Sequence, residues 1–533
     1  MPALPAGSLD NVASVSVSPA SALRPRTRQP VSLTVLLGGA VVDNRSEHLV
    51  SGITLDSRLV SPGDLYVAVP GTRHHGADFA ADAAEAGASA ILTDAEGGRA
   101  AEADAVGIPV VVVDDPRRLM AGLAAQIYGR PAEAMTMFAV TGTNGKTTTT
   151  FLLEAALRSV GVHTGLIGTI GFRLDQAPLG GARTTVTTPE STELQALLAY
   201  LRENGAQAVL MEVSSHALAL GRADAITFDV SAFTNLGRDH LDFHGDEETY
   251  FAAKASLFTA SRSRQAVINI DDARGRELAE RIRRAGELRL TTISLHEPAD
   301  WTATYEVRSD GRTAVRAQLR DRTVDFNLSL PGDFNVRNAL TALAMIEAAG
   351  FDTDSAATGL ADAVVPGRMQ RVALGPDAPL VYVDFAHTPQ AVTASLAVVG
   401  TSSPSARRIV VLGCGGDRDP EKRGPMGAAA ARGADVVIVT DDNPRSEDAA
   451  AIRAQILAGA RAAVAGEHLD AEVIDGGDRR AAIGLALDVA RPGDVVAVLG
   501  KGHETGQEVA GRVLPFSDPE VVQEQWAARR AAR

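Results

Sequence analysis

The segment Thr141-Gly142-Thr143-Asn144-Gly145-Lys146-Thr147-Thr148 constrains the chain more than any other. It follows an apolar run, residues 135–140, that reads as a short buried strand. It precedes residues 147–160, where Leu152, Leu153, Ala156, Leu157 and Val160 recur at helical spacing before Gly161. A strand, a glycine turn and a helix are the setting of a phosphate-binding loop. Glycines let the backbone turn its N–H groups toward phosphate oxygens, and the helix N-terminus adds a favourable dipole. Lys146 would meet the phosphates, and the hydroxyl of Thr147 or Thr148 would hold Mg2+. The generic loop has glycine where this chain has Val140, so the loop is a variant; the bland alternative is a glycine turn that only starts a helix.

The rest of the chain fits a multidomain α/β protein. Its 533 residues suggest three or four domains, and 45% hydrophobic with 22% charged residues suits a globular chain. Residues 1–29, rich in Ser, Ala, Pro and Arg, read as a disordered and dispensable arm. Arg24, Arg26 and Arg28 before the mildly apolar residues 31–42 loosely imitate a signal peptide, but glycines interrupt the run and no clean cleavage site follows. From 30 to 134, β-branched runs at 64–69, 90–93 and 110–114 alternate with Ala-rich stretches. A second α/β domain is expected over 135–366, with strands at 208–213, 226–234 and 266–270 and a β-rich part including 301–307 and 324–330. From 367 to 533, strands at 380–384, 408–412, 436–440, 472–474 and 495–499 alternate with helices in a Rossmann-like pattern.

A net charge of −15 repels polyphosphate over long range and argues against nucleic acid as a partner. No apolar run approaches the roughly 20 residues a membrane span needs. The single cysteine, Cys414, permits no internal disulfide and points to the reducing cytosol. A monomer is expected.

Two further segments carry chemistry. Met211-Glu212-Val213 ends a strand beside the phosphate loop, which suits a metal-binding or capping carboxylate. Asp239, His240, Asp242 and His244 crowd together farther along. Spacing alone admits zinc there, whereas a nucleotide site beside it favours Mg2+. Lys254 falls in a helical run over 247–258 and, taken alone, reads as a solvated helix lysine.

In these segments the chain resembles the Mur ligase family. The matches are the 142–147 loop, Met211-Glu212-Val213-Ser214-Ser215-His216, Asp239-His240-Leu241-Asp242, Ala253-Lys254, Pro331-Gly332 with Asn335 and Asn338, Gly367-Arg368, and Asp384-Phe385-Ala386-His387-Thr388-Pro389. Within the family the tripeptide-forming, MurE-type branch is most similar. That rests on Leu55-Asp56-Ser57-Arg58, Gly413-Cys414-Gly415-Gly416-Asp417-Arg418, Asp442-Asn443-Pro444-Arg445 and Gly500-Lys501-Gly502-His503-Glu504.

The resemblance implies three domains: one for a UDP end, a central P-loop ATPase-like domain, and a C-terminal Rossmann-like domain for the incoming amino acid. It implies that Leu55, Ser57, Thr72, Arg73 and His74 contact uridine diphosphate, and that Thr187, Thr188, Ser214 and Arg222 hold a muramoyl dipeptide. Gly142, Thr143, Asn144, Gly145, Lys146, Thr147, Thr148, Asn338, Arg368, Asp384 and His387 would bind ATP. Arg418, Asp442, Asn443, Pro444, Arg445, Gly500 and Glu504 would bind meso-diaminopimelate. Thr147, Glu212, His240 and Lys254 would hold Mg2+, with Lys254 carrying CO2 as a carbamate (N6-carboxylysine). Lys146, Lys254, Glu212 and His240 would be catalytic. Leu220 stands where some relatives carry a glutamine, a departure in the dipeptide region.

The implied activity is ATP-dependent amide formation between UDP-N-acetylmuramoyl-L-alanyl-D-glutamate and meso-diaminopimelate, a step of peptidoglycan precursor synthesis. Alternatives are a lysine-adding or other Mur ligase, or a folylpolyglutamate synthetase. A GTPase-like switch would not need the third domain. A dehydrogenase reading of Gly413-Cys414-Gly415-Gly416 fails because the last glycine of the dinucleotide pattern would fall on Arg418.

Overall fold

The computed structural model describes residues 23–38, 48–71, 74–103, 106–180, 187–237, 239–308, 312–375, 377–399 and 406–531. The chain divides into two units. The first comprises Met1–Ala134, Gly171–Gly205 and Gly221–Ala225; the second comprises Met135–Ile170, Ala206–Leu220 and Ile226–Arg533. The sequence expectation placed all of 135–366 in one domain, whereas residues 171–205 and 221–225 join the first unit. The physical reason is visible in the helix Ser191–Glu203, whose Ala196 and Ala199 are buried in that unit's core.

In the first unit, Gly52–Thr54, Asp64–Ala68, Ala90–Thr93 and Val110–Val112 form a parallel sheet in chain order. Alternate residues of Asp64–Ala68 serve opposite faces. Leu65 and Val67 pack with Met120, Leu123 and Ile127 of the helix Pro116–Ile127, and Tyr66 and Ala68 pack with Ala77, Ala80 and Ala83. That helix starts cleanly because Asp115 accepts from the Arg118 amide and Pro116 fills the first turn.

The arm requires a correction. Residues expected to be disordered up to 29 include Arg24, whose guanidinium makes two hydrogen bonds to Asp64, at 2.8 and 2.7 Å. Both groups are withdrawn from water, with the side chains 8% and 0% exposed. The amides of Arg26 and Thr27 donate to Glu203 at 2.7 and 2.9 Å. Composition hides this because one arginine suffices to neutralise a buried aspartate. Arg24→Ala should therefore lower unfolding stability by about 2 kcal/mol, the scale of a lost charged hydrogen bond. The denaturant midpoint reads this directly, and an unchanged midpoint would return the whole arm to dispensability.

The second unit holds two large sheets and a two-stranded hairpin, Gly506–Val509 with Arg512–Pro515. In the first, seven strands run parallel in the spatial order Thr164–Gly168, Ala208–Glu212, Thr136–Thr141, Phe228–Phe233, Ser263–Asn269, Arg289–Ser294, Trp301–Val307. Thr313–Leu319 and Arg322–Leu328 extend it antiparallel. Phe138, Val140, Leu210 and Val230 pack under the helices Lys146–Ser159 and Asp333–Ala348 in one aliphatic core. The second sheet has the order Gln370–Val372, Leu380–Asp384, Val495–Leu499, Arg408–Leu412, Val436–Thr440, Glu472–Gly477, parallel except for the first strand. Val495–Leu499, late in the chain, is inserted between two earlier strands. This creates a change of winding direction, and ligands of such sheets bind beyond the carboxyl ends at that point. Asp384, Gly413, Asp442 and Gly500 lie there. Among the described residues, no helix is long and apolar enough to cross a membrane.

Candidate active site

The phosphate loop sits where the sequence pattern puts it. The strand Thr136–Thr141 ends at Gly142 (φ +144°), and the helix Lys146–Ser159 begins after Gly145. A Cβ on Gly142 would lie 1.9 Å from the Thr234 hydroxyl, so only glycine fits beside that neighbouring strand end. The loop is braced from the 234–237 segment. The Thr143 and Asn144 amides donate to the Asn235 carbonyl and side chain at 2.9 and 3.0 Å, and Thr234 donates to the Asn144 carbonyl at 2.6 Å. The first-turn amides of the helix lack an intrahelical acceptor and supply the anion-binding end. Asn338 approaches the same turn, with Thr149 donating to its Oδ1 at 3.4 Å.

Two lysines converge on one carbonyl. Lys146 Nζ donates to Gly142 O at 2.9 Å and to Thr143 O at 3.0 Å, while Lys254 Nζ donates to Gly142 O at 2.8 Å. Lys254 is 1% exposed, which corrects its reading as a solvated helix lysine. Its ammonium also lies 4.5 Å from the Tyr250 ring. Burial, and then the charge of Lys146, hold the Lys254 amine well below the ordinary lysine range. Burial lowers Lys146 as well.

Glu212, at the end of its strand, is fully buried. It accepts from Thr147 Oγ1 at 2.9 Å, and from the Thr169 amide and hydroxyl at 3.0 and 2.9 Å. A carboxylate and a hydroxyl in contact at the phosphate loop are hard oxygen donors and fit Mg2+, which takes one or two protein oxygens and completes its shell with water and phosphate. Among the described residues, no three His, Cys, Asp or Glu side chains gather into a ready cage. In the expected Asp239-to-His244 cluster, His240 Nε2 lies 3.4 Å from Asp239, and the rings of His240 and His244 both pack against His216. His244 Nε2 lies 2.9 Å from the Ser215 hydroxyl, buried, while His240 is exposed with φ +53° and stacks edge-on to His216 at 4.8 Å.

At the second sheet, Asp384 accepts from the amides of Met369 and Ala386 and from the Ser395 hydroxyl, at 2.7, 3.0 and 3.0 Å. Burial pushes its carboxyl up despite Arg368 nearby. Arg368 stacks on Phe385 at 4.6 Å, and its buried Nε has no hydrogen-bond partner among the described residues. His387 is exposed, with Nδ1 2.8 Å from the Phe385 carbonyl.

The amino-acid residues form a tighter constellation. Lys501, fully buried, donates to Glu504 Oε2 at 2.8 Å and Asn443 Oδ1 at 3.1 Å, and lies 3.8 Å from Asp442. Asn443 Nδ2 donates to the same Glu504 oxygen at 2.7 Å. Burial raises the Glu504 carboxyl, but the Lys501 charge and the hydrogen bonds from Lys501 and Asn443, with His503 nearby, together hold the group below the usual carboxylate range. Gly500 precedes this lysine, Arg445 follows Pro444 with φ +52°, and Arg418 is exposed.

The dipeptide and UDP residues are less concentrated. Leu55, Ser57, His74, Thr187, Thr188 and Arg222 belong to the first unit and Ser214 to the second; Thr72 and Arg73 lie outside the described residues. Arg222 donates to Glu190 at 2.9 Å and to the Thr188 carbonyl at 3.3 Å. Ser214 caps the helix Ser215–Ala219, which ends at Leu220. Ser57 opens a turn capped by Asp56, and His74 is exposed near Asp78.

Residues 49–128 match the Mur ligase family catalytic domain, 140–346 the Mur ligase middle domain, and 367–502 the Mur ligase, glutamate ligase domain. A curated relative from Streptomyces coelicolor, UDP-N-acetylmuramoyl-L-alanyl-D-glutamate–2,6-diaminopimelate ligase, is 48% identical over 92% of this chain and 94% of its own length. The chain belongs to the Mur ligase family. A Corynebacterium glutamicum relative of the same name is 45% identical to this Mur ligase over 89% of the chain and 92% of its own length. A solved structure titled with that name superposes at a TM-score of 0.67 with 31% identity, covering 94% of this chain and all of that one. The three matched segments give the Mur ligase its three-domain α/β architecture.

Sequence reasoning missed Thr169, Tyr250 and the 234–237 brace. Nothing local marks them, since each matters through a partner 43 to 107 residues away.

Proposed function

We propose that this Mur ligase joins meso-2,6-diaminopimelate to the D-glutamyl carboxylate of UDP-N-acetylmuramoyl-L-alanyl-D-glutamate, with ATP converted to ADP and phosphate. The observation that carries this reading is the Asp442-Asn443-Pro444-Arg445 turn locked to Glu504 by Lys501, which presents carboxylates and a guanidinium together. A diamino dicarboxylate needs both signs of charge in its pocket.

A carboxylate does not form an amide spontaneously. The carboxylate oxygen attacks the γ-phosphorus, ADP departs, and the resulting acyl phosphate takes the amine of the third amino acid. The tetrahedral adduct loses a proton and expels phosphate. Positioning and cations supply most of such catalysis. Lys146 and the helix N-terminus face the phosphates, Arg368 and Asp384 line the nucleotide, and Glu212 with Thr147 would hold the metal. Bound Mg2+ would neutralise developing phosphate charge. UDP contacts are assigned to Leu55, Ser57 and His74, with Thr72 and Arg73. Thr187, Thr188, Ser214 and Arg222 are assigned to the dipeptide.

The same reading makes Lys254 a carbamate. Two ammonium groups on the Gly142 carbonyl repel each other, and burial together with the Lys146 charge favours the neutral form of the Lys254 amine. A neutral amine adds to CO2 and releases a proton, giving an anion that offers hard oxygens instead of a second cation. His240 joins it as an assigned ligand. With 18O in the D-glutamyl carboxylate, one label per turnover should appear in the released phosphate; unlabelled phosphate would exclude the acyl phosphate.

A further inference from the structure

Arg445 is not a free fork in this structure. Its Nε lies 3.1 Å from Glu508 Oε2, and its Nη1 donates to the Gly416 carbonyl at 2.6 Å. A Cβ on Gly415 would lie 2.9 Å from Nη1, so a larger residue there would push the guanidinium aside. The Glu508 backbone is equally committed. The Arg445 amide donates to the Glu508 carbonyl at 3.0 Å, the Ala510 amide to the Arg445 carbonyl at 2.8 Å, and the Glu508 amide to Asn443 Oδ1 at 2.9 Å. Gln507 adds a bond to the Asp442 carbonyl at 2.6 Å. The hairpin strand Gly506–Val509 is thus stitched along the whole recognition turn.

We propose that Glu508 is a positioning residue that aims the Arg445 guanidinium at the far carboxylate of the amino-acid substrate and so sets selectivity for a diamino dicarboxylate. The proposal rests on the assignment of Arg445 to that substrate. A guanidinium is planar, so contacts at Nε and Nη1 fix its plane, and the Nη2 donors with the remaining Nη1 donor form the open fork. Arg445 and Glu508 are 23% and 42% exposed, so the pair contributes little to stability. Its effect is orientation, and a misaimed fork loses the two-point grip while the rest of the site stays intact.

The experiment compares Glu508→Ala, Glu508→Gln, Arg445→Ala and the Glu508→Ala/Arg445→Ala double variant in the full chain, with steady-state kinetics for diaminopimelate, lysine, ATP and the UDP-dipeptide. Glu508→Ala should raise KM for diaminopimelate about tenfold or more, in line with the cost of misplacing a binding group. The diaminopimelate-to-lysine ratio of kcat/KM should fall by the same factor. KM for ATP and the UDP-dipeptide, and the melting temperature, should hold. Glu508→Gln, which keeps an acceptor, should fall between, and Glu508→Ala should add nothing to Arg445→Ala. An unchanged or lowered KM for diaminopimelate in Glu508→Ala would overturn the proposal, the latter making Glu508 a competitor of the substrate. If Arg445→Ala also leaves diaminopimelate use unchanged, the assignment of Arg445 fails with it; if only the Glu508 variants are silent, the assignment stands.

Discussion

Replacing Lys254 with alanine should reduce turnover about 10²–10³-fold, the cost of removing one preorganised charge-stabilising group, and short carboxylic acids should restore part of it. The side chain is 1% exposed and its nitrogen is 2.8 Å from the Gly142 carbonyl that Lys146 also reaches. A cation at 254 therefore adds to the charge Lys146 already supplies, whereas a carbamate adds what the metal lacks. Lys254→Arg keeps the positive charge and cannot form the carbamate, so it should remain as inactive as alanine. Formate or acetate should occupy the space left by alanine and return oxygen donors. Melting curves separate this from unfolding, because a rescued enzyme is a folded one. Activity that persists in Lys254→Ala, or returns with arginine, is incompatible with the carbamate.

How much of this was legible in the sequence depends on how local the cause is. The strands Leu380–Asp384, Arg408–Leu412, Val436–Thr440 and Val495–Leu499 fall at their expected positions because each is a continuous apolar run between turns. The phosphate loop was equally plain, since its glycines, lysine and threonines are consecutive. Arg24 was not, because its partner Asp64 lies 40 residues on and the arm's composition averages it away. Lys254 looked solvated because its helix alone does not reveal the loop above it. The histidine segment reads in sequence only as a run of possible ligands, because proximity along the chain cannot show that His244 turns to Ser215 or that both its histidine rings pack on His216. Lys501 was seen only as part of a family motif; its bonds to Asn443 and Glu504 give it a physical role. The hairpin Gly506–Val509 with Arg512–Pro515 went unread, and Glu508 with it.

Lysine should be a poor substitute for meso-diaminopimelate, with kcat/KM lower by about 10²–10³-fold. A site built to bind a charged group can reject an analogue lacking it by roughly 10⁴–10⁵-fold when the orphaned group is buried. Arg445 is 23% exposed and keeps Glu508 as an internal partner, so a lysine substrate would not strand it and the discrimination is correspondingly smaller. Arg445→Ala should erase most of that ratio by lowering diaminopimelate use while leaving lysine use nearly as it was. The most direct measurement is phosphate release by the purified chain with ATP, Mg2+ and UDP-N-acetylmuramoyl-L-alanyl-D-glutamate, supplied with meso-diaminopimelate or lysine in turn and in competition. Diaminopimelate-dependent release with a tripeptide product, and little with lysine, is the expected result. Equal turnover of lysine, or release that no amino acid stimulates, would contradict the account.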